Sequence, residues 1–570
     1  MRVDATSLTR KAPDLVPGQS VPWVLPQVLR RRIQCRSELV FALAVSAFWL
    51  VVYNAAFWQR TFEAMWFPSM RAVLFLGSLA ILVLTLQAIL LLLAPTRRVL
   101  RILAGALFIV AAIGSYFASA YGTLLDKDML RNVMQTDMAE VGGLITPKLL
   151  LHVFVLGFLP ALLVWRVDLP KISWKARLRQ RVVFIVCALA VSFLGMLTAS
   201  SNYAVFLREH KPIRYALVPV MPVASAARLG VSRWKGARAS VALVDTGGPV
   251  TRMAAAGGKP LVVFVVVGET ARAANFQLGG YARATNPRLS NQESLVYFGK
   301  VSSCGTATAV SLPCLFSQFS RSEFDVDKER GHTNALDVLT KGGFDVEWRD
   351  NNAGCKGVCA RVEHIDYKPS DENRDLCPNG YCYDEIMLKD LADKLGKIDR
   401  DTVIVFHQIG SHGPAYSERY PPQFEIFKPA CASSSLHSCT QEQIANSYDN
   451  TIAYTDYVLS RQIEALRAAQ NRLDSLLIYV SDHGESLGEQ GIYLHGMPYA
   501  IAPRAQKEVP LLIWTSAGYA QRTRLNLECL RNSAQQPRSH DNFYHTLLGA
   551  AGVRNSLYDE KLDILKECRR

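Results

Sequence analysis

The chain has 570 residues, half of them hydrophobic and 20% charged, with a mean hydropathy of +0.10. That is apolar for a soluble protein of this charge content, and the length leaves room for two or more domains. The formal charge of +14 invites a nucleic-acid partner, but much of the Lys and Arg lies in short segments between hydrophobic stretches, so membrane orientation accounts for it and no nucleic-acid partner is expected.

Residues 1–37 are polar and basic, with Arg30-Arg31-Arg32 near their end, and read as a cytoplasmic N-terminal segment. Five apolar spans follow at about 38–58, 71–94, 100–121, 149–167 and 182–200, each about long enough to cross a hydrocarbon core of ~30 Å as a helix. The first starts too late and runs too long for a signal peptide, so it is read as retained. The N-terminal segment, the Arg97-Arg98 turn and the run Lys171, Lys175, Arg177, Arg179, Arg181 are alternate connections and all strongly basic. They belong on the cytoplasmic side, which puts everything after residue 200 outside.

The connection 122–147 carries Asn132, Thr136 and Glu140 at four-residue spacing, with Leu130, Val133 and Met134 turned elsewhere. On a helix this is a polar stripe, read either as a solvated face or as a seat for a polar lipid headgroup. Residues 201–258 have little regular pattern and form an interfacial linker carrying His210-Lys211-Pro212 and Arg233-Trp234-Lys235, closed by the Ala/Gly stretch 254–258. From 259 to 570 strand runs at 261–267, 344–348, 402–406, 475–480 and 509–513 alternate with helical patterns near 334–341, 383–396, 441–469 and 540–550. This predicts an α/β domain with a mainly parallel sheet covered by helices on both faces.

Of twelve cysteines, Cys35 and Cys187 lie in the hydrophobic third and ten fall between Cys304 and Cys568. The close pairs Cys304/Cys314, Cys355/Cys359, Cys377/Cys382 and Cys431/Cys439 suggest disulfide-stapled loops, and no CxxC…CxxC frame supports a structural zinc cluster. Whether Cys529 and Cys568 pair is left open. Disulfides imply an oxidising compartment such as the periplasm.

Active sites of open α/β sheets collect beyond the carboxyl ends of the strands. Val262–Val267 leads into Gly268-Glu269-Thr270, and Leu476–Val480 leads into Ser481-Asp482-His483-Gly484. Two carboxylates and an imidazole suit Zn²⁺, and the hydroxyl of Thr306, in Cys304-Gly305-Thr306-Ala307-Thr308, is a candidate fourth ligand and nucleophile. Taken singly, each has an ordinary reading: Glu269 as a helix cap, Asp482-His483-Gly484 as a turn, Thr306 as a loop residue. His412 in Gly410-Ser411-His412-Gly413-Pro414 and His495 in Tyr493-Leu494-His495-Gly496 lie near strand ends or in Gly-rich turns, within reach of a phosphate or a second metal. Lys356 sits in the Cys355/Cys359 loop, as a surface lysine or as a cation that offsets phosphate charge.

Gly268-Glu269-Thr270-Ala271-Arg272, the run Gly280–Pro287, Cys304–Ala309, Ser411-His412-Gly413-Pro414-Ala415-Tyr416 and Ser481-Asp482-His483-Gly484-Glu485-Ser486-Leu487-Gly488-Glu489 resemble the phosphoethanolamine transferases of Gram-negative bacteria that modify lipid A, a family that includes the mobile colistin-resistance enzymes. The resemblance covers almost the whole chain. It implies five transmembrane helices and an alkaline-phosphatase-like, sulfatase-like periplasmic domain in a multi-pass inner-membrane protein. It implies that Glu269, Thr306, Asp482 and His483 bind one catalytic zinc, with Thr306 carrying phosphoethanolamine. His412, His495 and Lys356 are implied to line the substrate site, with a second zinc near the two histidines, and Asn132, Thr136 and Glu140 to lie near the ethanolamine headgroup. Phosphatidylethanolamine is the implied donor and lipid A the acceptor, with lower negative surface charge and polymyxin resistance as consequences; a monomer is expected. The alternatives are a core-sugar or periplasmic-glucan acceptor and an inactive sensor of the same fold. Ser411 stands where some relatives have asparagine, and the N-terminal segment is longer than usual.

Overall fold

The computed structural model describes residues 33–65, 69–136, 138–238, 247–252, 258–329, 331–378 and 380–569; most of the basic N-terminal segment lies outside them. Among the described residues, four helices are long and apolar enough to cross a membrane: Met70–Leu92, Arg97–Ala120, Pro147–Arg166 and Trp174–Thr198. Glu38–Val52 and Ala55–Met65 form a pair bent by 63°, a fifth span if counted as one. Each begins at a hydroxyl cap, since Ser37, Ser69, Thr96, Thr146 and Ser173 each accept a hydrogen bond from a backbone N–H of the first turn. The caps at Thr96 and Ser173 start two spans earlier than hydropathy predicts, so their first turns carry the basic residues.

The bend in the first span has a specific cause. Buried Asn54 donates to the Trp49 and Val218 carbonyls, both at 2.8 Å, and accepts the Val218 N–H at 2.9 Å, so two of its three bonds go to the segment that follows the last long apolar helix. In the fourth span Pro160, which has no N–H to donate, follows a π-helical stretch over Val153–Phe158.

Two expectations are corrected. The segment after residue 200 is largely helical, with Ser200–Glu209, a 3₁₀ turn Lys211–Ala216 and Val220–Arg238. Its Trp234 is exposed, while the side chains of Lys211, Pro212, Arg233 and Lys235 and most of the Ala/Gly stretch 254–258 lie outside the described residues. The stripe Asn132, Thr136, Glu140 does not run along one helix, because Lys127–Gln135 ends at Thr136, whose backbone is extended, before Met138–Leu144 begins.

In the C-terminal domain the sheet strands are β1 (Leu261–Gly268), β2 (Leu295–Ser302), β3 (Asp345–Asp350), β4 (Glu363–Asp366), β5 (Thr402–His407), β6 (Asp474–Ser481), β7 (Glu508–Thr515) and β8 (Arg538–Ser539). Their order is β8-β2-β7-β6-β1-β5-β3-β4. β7 is antiparallel to both neighbours and the other pairings are parallel, with Val265 of β1 opposite Ile478 and Val405. β1 is buried along its whole length. Val263, Val265 and Val267 face a core shared with the helices Ala335–Lys341 and Phe543–Ala551, while Val262, Phe264 and Val266 face a core built on the long helix Gln441–Ala468. Alternation with both faces buried reads in sequence as an unbroken apolar run.

The five predicted strands are present, and so are three of the four predicted helical regions; the fourth, 383–396, is split into a 3₁₀ turn Asp384–Leu388 and a helix Leu391–Lys397 by Asp390, which sits at φ +58. β2, β4 and β8 were not anticipated; Gly299-Lys300 interrupts the apolar pattern of β2, and β7 shifts register against it between Val509 and Leu511. The four expected disulfides form, and Cys529 pairs with Cys568. The α/β domain rests on the helical part through Tyr493 N–H to Tyr121 carbonyl at 3.0 Å, Arg131 to Asp327 at 2.8 Å and Lys127 to Asp325 at 3.5 Å.

Candidate active site

The parallel strands carry their functional residues out at one edge. β1 delivers Glu269, its neighbour β6 delivers Asp482 and His483, β5 leads to Gln408 and His412, and β3 leads to Asn351 and Asn352. The turn after β5 lies directly against Glu269: Gly410 has φ +51, and a Cβ there would come within 2.8 Å of the Glu269 carbonyl oxygen. Gly410 therefore allows two strand ends to approach at backbone distance.

Glu269, Asp482 and His483 are fully buried, and one ligand atom from each lies within 4.8 Å of the others. His483 Nε2 is 3.3 Å from Glu269 Oε1 and 3.3 Å from Asp482 Oδ2, and among the described residues Asp482 Oδ2 accepts no hydrogen bond. His483 Nδ1 is 2.9 Å from the Gly484 carbonyl, which can only accept, so the ring proton sits on Nδ1. Burial pushes the His483 pKa below its ordinary value, against the pull of Asp482, and favours the neutral ring. Nε2 then presents a lone pair toward two carboxylates. Three electron-pair donors converging away from water, one an orphaned carboxylate oxygen, form a donor set that fits a divalent cation such as Zn²⁺.

The hydroxyl brought to this cluster is that of Thr308. Its Oγ1 lies 3.1 and 3.0 Å from the two Glu269 oxygens and 3.3 Å from His483 Nε2. Thr306 is turned away: its hydroxyl donates to the Met497 carbonyl at 2.5 Å, and its own carbonyl accepts the Gly496 N–H at 2.7 Å. The expectation that the Thr306 hydroxyl joins the Glu269, Asp482 and His483 cluster is therefore corrected: the hydroxyl placed there is that of Thr308. Ala307 is extended (φ −148°, ψ 142°) and Thr308 opens the helix Thr308–Leu315, so the two threonines project to different sides of the turn.

The two further histidines lie beside the cluster. Ring centroids are 4.5 Å apart for His483 and His495 and 5.2 Å apart for His412 and His495. Glu485 holds His495, accepting from its Nδ1 at 2.9 Å and from the Tyr416 hydroxyl at 2.7 Å. Burial, with smaller contributions from His495, Arg419 and His483, drives the His412 pKa well below its ordinary value. Asn352, not anticipated from sequence, donates to Glu269 Oε2 at 2.9 Å and to the Gln408 carbonyl at 2.8 Å. Its position just past the end of β3 follows the same strand-end logic that located Glu269.

The Lys356 ammonium donates to the Gln135 carbonyl at 3.2 Å and the Ala353 carbonyl at 2.7 Å, tying the Cys355–Cys359 loop to the C-terminal end of the helix Lys127–Gln135. Asn132 is buried and its carbonyl accepts from the Thr136 hydroxyl at 2.9 Å; the side chain of Glu140 lies outside the described residues. Neither Asn132 nor Thr136 makes a described hydrogen bond to the Glu269 cluster.

A family model described as "Sulfatase" matches residues 261–553, and one described as "Phosphoethanolamine transferase EptA/EptB" matches residues 82–233. The chain is 39% identical to phosphoethanolamine transferase EptA of Escherichia coli (strain K12) over 94% of its own length and 97% of that protein. It is 38% identical to phosphatidylethanolamine transferase Mcr-1 of Escherichia coli, over 84% of this chain and 90% of that one. Among solved structures, the integral membrane protein lipooligosaccharide phosphoethanolamine transferase A from Neisseria meningitidis superposes with a TM-score of 0.87 at 35% identity, covering 94% of this chain and all of that one. A membrane domain joined to a sulfatase-like α/β domain is thus the architecture of a solved relative as well as of this chain. The chain belongs to the family of phosphoethanolamine transferases of the EptA and Mcr type.

Proposed function

We propose that this chain is a zinc-dependent transferase that moves phosphoethanolamine from phosphatidylethanolamine to a phosphate of lipid A through a covalent intermediate on Thr308. The observation that carries this reading is the placement of the Thr308 hydroxyl against both Glu269 oxygens and His483 Nε2. Glu269, Asp482 and His483 would hold the zinc. When bound, the cation lowers the pKa of a neighbouring hydroxyl and offsets charge on nonbridging phosphoryl oxygens.

In the first step Thr308 Oγ1 bonds to phosphorus as the bond to the diacylglycerol oxygen breaks. The leaving oxygen takes a proton from His495, whose Nδ1 is held by Glu485, and the Thr308 proton passes to the Glu269 carboxylate that already accepts it as a hydrogen bond. In the second step a lipid A phosphate oxygen attacks phosphorus, its proton returning to His495, and Thr308 leaves, taking its own proton back from Glu269. A second zinc held by the neutral His412 and His495 rings, 5.2 Å apart, would take the place of that acid. Residues 38–200 would form the membrane domain, 201–258 the interfacial connection and 259–570 the periplasmic domain of an inner-membrane protein acting as a monomer. Both substrates are lipids, so neither leaves the bilayer. The added ammonium lowers the negative charge of the surface and with it the attraction for polymyxin and other cationic peptides.

Mass spectrometry of lipid A from cells with and without the protein tests the acceptor. A phosphoethanolamine increment on lipid A is expected, and an increment found on a core sugar or glucan instead would overturn it.

A further inference from the structure

Thr308 and His483 meet at the site although 175 residues separate them in sequence, so something must keep the nucleophile segment and the metal-ligand strand end in register. His540 lies between them. It follows β8, which pairs in parallel with Val301 and Ser302 of β2 and so carries the ring alongside the segment that leads to Thr308. The ring is buried. Its Nδ1 accepts the backbone N–H of Cys304 at 3.2 Å, and its Nε2 lies 3.0 Å from the Ser481 carbonyl, one residue before Asp482.

An N–H can only donate and a carbonyl can only accept, so these two partners require a neutral imidazole with its proton on Nε2. Burial, which holds the His540 pKa down to about 4, favours the same form. Ser311, one turn into the helix that Thr308 opens, closes a second link: its hydroxyl donates to the Asp482 carbonyl, accepts the Gly305 N–H at 3.3 Å and lies 3.4 Å from His540 Nδ1.

We propose that His540 is a positioning residue for phosphoethanolamine transfer, its two ring nitrogens fixing the distance between the Thr308 segment and the Asp482-His483 strand end. It touches neither Thr308 nor a metal ligand side chain in any described contact, so it acts through Cys304 and Ser481. This inference rests on Thr308 being the nucleophile, and the test separates the two.

The experiment uses the full-length protein in vesicles containing phosphatidylethanolamine and measures kcat, KM, bound zinc and Tm for His540→Phe, His540→Asn and His540→Gln, with Thr308→Ala alongside. Phenylalanine keeps the ring and removes both nitrogens; a misplacement on the scale of an ångström predicts an about 100-fold fall in kcat, with KM within about threefold and wild-type zinc content. Asparagine retains an acceptor near the Nδ1 position and glutamine a donor near the Nε2 position, and at least one of them recovers part of the rate. Wild-type kcat in His540→Phe, a loss of rate matched by equal loss of zinc or of folded protein, or no recovery by either amide would overturn the role of His540. Wild-type turnover in Thr308→Ala would overturn the nucleophile reading instead.

Discussion

Removing one hydroxyl from each of two threonines two residues apart has opposite expected results. Thr308→Ala deletes the oxygen that lies 3.0 and 3.1 Å from the Glu269 carboxylate, and with it the atom proposed to carry the transferred group. A loss of at least about 10³ in turnover is expected, equal to about 4 kcal/mol of transition-state stabilisation. Thr306→Ala deletes a buried hydrogen bond to the Met497 carbonyl. Its effect is about 1–3 kcal/mol of stability, the upper end applying if that carbonyl is left without a partner. This lowers Tm by several degrees and leaves kcat within about tenfold of wild type. Release of diacylglycerol from phosphatidylethanolamine vesicles measures turnover, and intact-mass analysis of acid-quenched protein measures the covalent adduct, which is expected on wild type and Thr306→Ala and absent from Thr308→Ala. An active, adduct-forming Thr308→Ala beside an inactive, well-folded Thr306→Ala would refute the assignment.

Asn352→Ala removes the donor that bonds Glu269 at 2.9 Å; zinc affinity measured by chelator competition is expected to fall about 10–100-fold, and an unchanged affinity would show that Glu269 needs no such support. Burial alone would raise the Asp350 pKa, but the His407 ring, the Trp348 indole N–H and the Asn352 N–H bring it from 3.8 down to about 2. A carboxyl held lower in the folded state stabilises it above about pH 4, here by about 2 kcal/mol, and loses that contribution as pH falls toward 2. Asp350→Asn should therefore flatten the acid side of a plot of urea midpoint against pH, and an unaltered slope would count against the His407 pairing. Arg131, buried, reaches Asp327 at 2.8 Å across the contact between helical and catalytic parts. Reversing either charge alone is expected to cost about 3 kcal/mol of that contact and to lower turnover on vesicles, while the double swap Arg131→Asp with Asp327→Arg recovers part; no recovery would mean that the pair does not join the two parts.

Much of this architecture is legible along the chain because its signals are local. An apolar run as long as Met70–Leu92 has few alternatives to a membrane span, and Leu261–Gly268 is apolar throughout because both its faces are covered. The strand ends Glu269 and Asp482-His483 follow from the rule that parallel sheets gather function at one edge. The cysteine pairs four to ten residues apart need only short loops to close, whereas Cys529 and Cys568, separated by 39 residues, are paired by the packing of the C-terminal segment. The reversed strand β7, the helices after residue 200 and the break at Thr136 depend on distant contacts and escape a local reading.

Amino-acid order alone determined which segments are long and apolar enough to cross a membrane, which runs become strands, and that two acids and an imidazole stand at neighbouring strand ends, because hydropathy and periodicity over eight to twenty residues decide those outcomes. Which of Thr306 and Thr308 faces Glu269 and His483 was decided by tertiary structure. The two have the same chemistry, and their directions differ by where the helix Thr308–Leu315 begins and by the partner each finds: the Met497 carbonyl for one, Glu269 and His483 for the other. Those partners lie 39 to 191 residues away, so no pattern within the loop itself distinguishes the hydroxyl that meets Glu269 and His483 from the one that bonds to Met497.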